Sequence, residues 1–162
     1  MKAKLIKTTM TSLLFACALI PTVATAIEPR GGAQDGRLQG TWEMQITLTD
    51  CAGHPIRSFQ SLVKFEAGGT MTDSTSGTPP ALRTPGLGVW RHTTGNNYAL
   101  RFKSFNFDAQ NVFTGWTIIT GETTVDATGN ARSGPATVEV YDTNGNLLVT
   151  LCAETVGTRF EL

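Results

Sequence analysis

The sequence predicts an all-β protein: an eight-stranded antiparallel up-and-down barrel, closed by pairing of the first and last strands. Three observations carry this. Glycine is frequent, with 17 in a chain of 162 residues and every one of them beyond residue 26, so turns are dense. Runs rich in Val, Ile, Thr and aromatic residues alternate with turn chemistry almost to the end of the chain. The first and last of these runs also satisfy a single antiparallel register.

Residues 1–26 read as a cleaved signal peptide. A basic start, Met1-Lys-Ala-Lys-Leu-Ile-Lys7, leads to the apolar run Leu13-Leu-Phe-Ala-Cys-Ala-Leu-Ile20. Ala24-Thr-Ala26 then places small residues at the cleavage site. The apolar run is too short for a permanent span, so no integral membrane segment is expected. A secreted or periplasmic protein follows. The competing reading is lipid anchoring at Cys17, because Leu14-Phe-Ala-Cys17 half-matches a lipoprotein box. Removing the signal leaves 136 residues with 10 basic and 13 acidic side chains. That is one domain with a weakly acidic balance and no basic cluster, which excludes nucleic acid as an expected partner.

Residues 27–37 lack periodicity and read as a flexible lead-in to a single barrel domain over 38–162. Strands are expected at 41–49, 57–66, 69–75, 87–93, 97–107, 112–125, 131–141 and 146–161. The first alternates cleanly, with Trp42, Met44, Ile46 and Leu48 on one face and polar residues on the other. The turns between strands, such as Asp126-Ala-Thr-Gly-Asn130 and Asp142-Thr-Asn-Gly145, are short and tolerate φ > 0. Short turns make successive strands antiparallel neighbours. The one long connection, 76–86, holds three prolines and reads as a semi-rigid flap.

An open eight-stranded meander would expose two edges, and closure removes them. Antiparallel partners share a nearly constant sum of residue numbers. That sum is 203 for Cys51 with Cys152 and 201 for Trp42 with Arg159. The mismatch of two corresponds to a diagonal neighbour or a small bulge. One seam therefore accommodates an outward cysteine pair and an inward Trp–Arg contact. After signal cleavage Cys51 and Cys152 are the remaining cysteines. In an oxidising compartment a structural disulfide is the favoured reading, against a metal pair or a reactive thiol. A metal would need more ligands than His54 and His92 supply, so no metal site and no cofactor is expected. The Asp-rich turns lack the ligand spacing of a calcium loop and fit hairpin chemistry.

Leu38-Gln-Gly40-Thr41-Trp42 at the start of the first strand resembles the Gly-x-Trp signature of lipocalins and their relatives, the calycins. In that group an Arg on the last strand packs over this Trp at the closed base, and Arg159 in Gly157-Thr-Arg159 stands where it would be. The chain also resembles small exported bacterial lipocalin-like proteins of unassigned role, in Pro85-Gly-Leu-Gly-Val-Trp-Arg91, Phe105-Asn-Phe-Asp108 and Val138-Glu-Val-Tyr-Asp142-Thr-Asn-Gly145. It departs from full lipocalins in having no helix after the eighth strand. The resemblance implies a calycin-like barrel that binds a small hydrophobic molecule.

Candidate pocket residues are Trp90, Tyr98, Phe102, Trp116 and Ile118, taken to share one face of their strands. An eight-stranded barrel is just wide enough to hold one small ligand or to be filled by its own side chains, and both readings stand at this level. His92, expected near the mouth, and Glu122 and Glu139, expected to face inward, are the weak catalytic candidates. They motivate an alternative, a cofactor-free isomerase or cyclase working by positioned acid–base chemistry. A further alternative is a filled barrel acting through its surface on a protein partner, as an inhibitor or interaction module. No phosphate loop, zinc spacing or nucleophile elbow occurs.

Overall fold

The computed structural model describes residues 35–162. The segment read as a signal peptide, residues 1–26, and Cys17 within it lie outside the described residues. After a 3-10 turn at Asp35–Arg37 come β1 (Gly40–Thr49), β2 (Pro55–Phe65), β3 (Thr70–Thr75), β4 (Gly86–Thr94), β5 (Asn97–Phe107), β6 (Phe113–Val125), β7 (Ala131–Tyr141) and β8 (Leu147–Arg159). Each strand pairs antiparallel with its neighbours in sequence, and β8 returns to β1. The barrel is closed, as the sequence predicts.

The closing seam keeps one register throughout. Trp42 pairs with Arg159, Glu43 with Thr158, and so on to Thr49 with Cys152, without a shift. Cys51 lies two residues past Thr49, with φ 65°, and bonds to Cys152 across 101 residues of chain. The mismatch of two in the number sums is therefore a diagonal step beyond the strand end, not a bulge.

Turns alternate between the two ends of the barrel. At one end lie the turns 66–69, 95–96 and 126–130, together with the entering segment 35–39; at the other lie 50–54, 76–85, 108–112 and 142–146. Four hairpins use the same device. The carboxylates of Asp50, Asp108, Asp126 and Asp142 accept backbone N–H bonds from residues two to five positions on. Such Asx turns explain the Asp-rich hairpins without a cation.

The first end is packed shut. Leu38, Trp42, Phe65, Met71, Trp90, Tyr98 and Val125 form its buried core. The Trp90 indole meets Phe65 and Tyr98 edge-on, each at 5.9 Å between ring centres, a favourable aromatic geometry. Trp42 Nε1–H donates to the Leu38 carbonyl at 2.9 Å. Arg159 lies over the same indole, 4.4 Å from the ring centre. Its Nε donates to Gly129 O at 3.0 Å, Nη1 to Gln39 O at 2.6 Å and Nη2 to Arg37 O at 2.7 Å. One planar fork thus ties the entering segment, the 126–130 turn and β8 over a cation–π contact.

Candidate functional site

Above that base the barrel is hollow. A cavity of about 430 Å³ runs toward the other end, lined mainly by apolar side chains including Met44, Ile46, Leu100, Phe102, Ile119 and Val138. The space follows from the small residues at inward positions. Ser61, Gly121, Ala136 and Ala153 line it from β2, β6, β7 and β8, while Gly86 and Gly88 on β4 make room for Phe102. At Gly88 a Cβ would approach the backbone of Arg101 and Phe102 far inside contact distance, so the close approach of β4 and β5 requires glycine there. Large residues fill the base and small ones the middle, and that taper separates a hollow barrel from a filled one.

The 76–85 connection closes part of the mouth. Its Gly77, Thr78, Leu82 and Arg83 line the cavity. Backbone bonds pin it at both ends, from Ser76 N to Gln60 O at 2.8 Å and from Thr84 N to Phe105 O at 3.0 Å, while Phe107 N donates to Leu82 O at 3.0 Å. Arg83 bridges inward to Asp73, with Nη2 donating to Oδ2 at 2.7 Å and both side chains at or below 10% exposure. Burial pushes the Asp73 carboxyl up, against the downward pull of Arg83 and of a hydrogen bond from Ser61. The polar cluster Ser61–Asp73–Arg83 is thus built into one wall. On the floor, inward-facing Arg132 is almost completely buried.

The aromatic candidates separate into three places. Phe102 lines the cavity. Trp90 and Tyr98 belong to the packed base below it. Trp116 and Ile118 lie on the outer surface, because the inward phase of β6 is Thr117, Ile119, Gly121, Thr123 and Val125. Trp116 stacks there on Tyr141 with ring centres 5.8 Å apart, under the Lys103 ammonium at 4.1 Å. Alternation does not distinguish the two phases of β6, since over residues 116–125 each carries two threonines and two large apolar residues.

The acid–base candidates do not converge. His92 sits at the closed end, not near the mouth: Nε2–H donates to the Gly95 carbonyl at 2.8 Å and the ring packs on Tyr98. The chain runs from Trp90 into the base turn, which carries His92 away from the opening. Glu122 stands between buried Gly121 and Thr123 but is itself exposed, so it faces outward. Glu139 pairs with Ile118 on the outside and lies beside Tyr141, whose hydroxyl it helps burial to push up. The inward carboxylate is instead Asp73, in phase with Met71 and Thr75. That phase is readable from the sequence, but its partner Arg83 comes from an irregular segment that no periodicity places.

Among the described residues no group of three or more His, Cys, Asp or Glu side chains is arranged to hold a metal ion. No helix among them is long and apolar enough to cross a membrane. No known family model matches the chain, and no curated protein matches it, so barrel and cavity carry the functional reading.

Proposed function

We propose that the barrel is an exported binding protein that takes a small hydrophobic molecule into its interior. The observation that carries this reading is the cavity of about 430 Å³ with predominantly apolar walls and a few convergent polar groups. Cavities of that size and character suit single small ligands. The resemblance to calycins supports the same reading, and the disulfide is consistent with an oxidising, exported setting.

The isomerase or cyclase alternative has less support: His92 and Glu139 are not among the residues lining the cavity, and Glu122, which is, has an exposed side chain. The binding reading is tested by titrating the oxidised protein with the neutral apolar fluorophore N-phenyl-1-naphthylamine. Saturable, one-to-one emission enhancement is expected. Introducing Ala136→Leu, which adds bulk to the cavity wall, should weaken that binding roughly tenfold while leaving thermal stability within a few degrees. No saturable signal in the unaltered protein would sink the proposal.

A further inference from the structure

The cavity floor holds a cation that no anion neutralises. Arg132 projects inward from β7, in phase with the cavity-lining Ala136, Val138 and Val140, and is 6% exposed. Its Nε donates to Thr123 Oγ1 at 3.2 Å. The guanidinium carbon lies 4.8 Å from the Phe65 ring centre and 5.9 Å from that of Trp42. Those ring faces attract positive charge but offer no directed acceptor for the remaining N–H groups. Nη1 is buried and has no hydrogen-bond partner. Among the described residues no ion pair includes Arg132, and Asp73, the inward carboxylate, is engaged by Arg83. Burial alone depresses the guanidinium to about 10, so it stays charged at neutral pH.

Arg159, which also contacts the Trp42 indole, shows what a structural arginine looks like here, with every nitrogen bonded to a carbonyl. Arg132 differs. A buried, unpaired guanidinium destabilises the fold, and an apolar residue would suit an apolar floor better. Its placement makes sense if an acceptor enters from the cavity. The wall adds Arg57 and Arg83 and, besides the paired Asp73, only the outward-facing Glu122, so the interior field favours an incoming anion.

We propose that the ligand is an apolar monocarboxylate whose carboxylate pairs with Arg132 at the floor while its apolar body lies along Met44, Leu100, Phe102 and Ile119. This rests on the binding function proposed above and specifies its chemistry. A guanidinium–carboxylate pair is charge-assisted and directional, so it discriminates an acid from a neutral analogue of the same length.

The test is displacement of N-phenyl-1-naphthylamine from the disulfide-bonded protein by decanoate, 1-decanol and decyltrimethylammonium. Decanoate is expected to bind roughly tenfold or more tighter than decanol, and the ammonium weakest. Arg132→Met should erase the preference for decanoate without weakening decanol, and Arg132→Lys should retain part of it. As a check needing no variant, the carboxyl resonance of labelled decanoate bound to the unaltered protein should stay in the ionised form to lower pH than in free solution. Equal displacement by decanoate and decanol would overturn the carboxylate assignment while leaving apolar binding intact. An undiminished decanoate preference in Arg132→Met, or a bound carboxyl that titrates no lower than the free acid, would overturn the floor site. If the fluorophore itself fails to bind, both readings fall.

Discussion

Single side chains at the hairpin tips respond to acid through the hydrogen bonds that their carboxylates accept. Asp126 accepts from Thr128 Oγ1 at 2.7 Å and from the backbone of Gly129, Asn130 and Ala131. Those donors stabilise the ionised carboxylate and hold it down to about 2 from an ordinary 3.8, the hydroxyl of Thr128 contributing most. Asp142 and Asp50 are lowered for the same kind of reason, led by side-chain bonds to Asn146 and His54. The folded state thus binds these protons less readily than the unfolded chain. Their stabilisation is complete above the ordinary carboxylate value and is lost as pH falls through the lowered folded values. Asp126→Ala should accordingly lower the melting temperature at pH 7 and flatten its fall between about pH 4 and about 2. Thermal melts across that window check it, and an unchanged slope would show that the turn carboxylates are not responsible.

At the scale of elements, the 76–85 connection is held against the barrel by the buried Asp73–Arg83 pair. Burial raises Asp73, so its shift has the opposite sign to those of the turn aspartates. The folded state holds this proton more tightly than the unfolded one, and any stability from that shift is greatest at low pH and fades as pH rises through the raised value. Acidification toward pH 3.8 should therefore leave the connection in place, the barrel weakening only below that value as the turn carboxylates take up protons. Hydrogen exchange at residues 76–85, compared with exchange in β1 and β8, tests this; loss of protection in 76–85 ahead of the other two would refute it. Arg83→Met alone strands a buried carboxylate and should cost about 3 kcal/mol, whereas the Asp73→Asn, Arg83→Met pair should cost much less.

For the whole molecule, closure and the disulfide act on the same seam. Cys51–Cys152 joins positions 101 residues apart, and both ends sit at the mouth where β1 meets β8. In the chain-entropy account a loop of that length restricts the unfolded state by up to about 4.7 kcal/mol. Replacing both cysteines by alanine should lower the melting temperature by roughly 10 °C without opening the barrel. Calorimetry of the oxidised protein and the variant decides it, and a shift of only a degree or two would mean that the β1–β8 ladder supplies the closure unaided. The base core around Trp42, Phe65, Trp90 and Tyr98 lies at the opposite end from the bridge, which is why folding and a hollow interior coexist. Burial that stabilises the fold is concentrated below the cavity.

The sequence by itself determined the strand order, the turns and the seam. Each depends on local chemistry: period-two alternation, Asp and Gly at the hairpins, and two residue pairs whose number sums differ by two. All eight strands fall within about two residues of where alternation places them, and Trp42 meets Arg159 as the register requires. What only the tertiary structure decided was the inside of the barrel. Which phase of β6 faces inward depends on the register across β5 and β7, so Trp116 and Ile118 ended outside and Thr117 and Ile119 inside. Whether the interior is filled depends on the summed volume of residues from eight strands, and Ser61, Gly121, Ala136 and Ala153 leave the space together. Arg83 and Arg132 carry no local signature of their own, and the alternation that turns Asp73 inward does not name its partner. Their role comes from being buried next to, or apart from, an opposite charge, and that is a property of distance in space rather than of position along the chain.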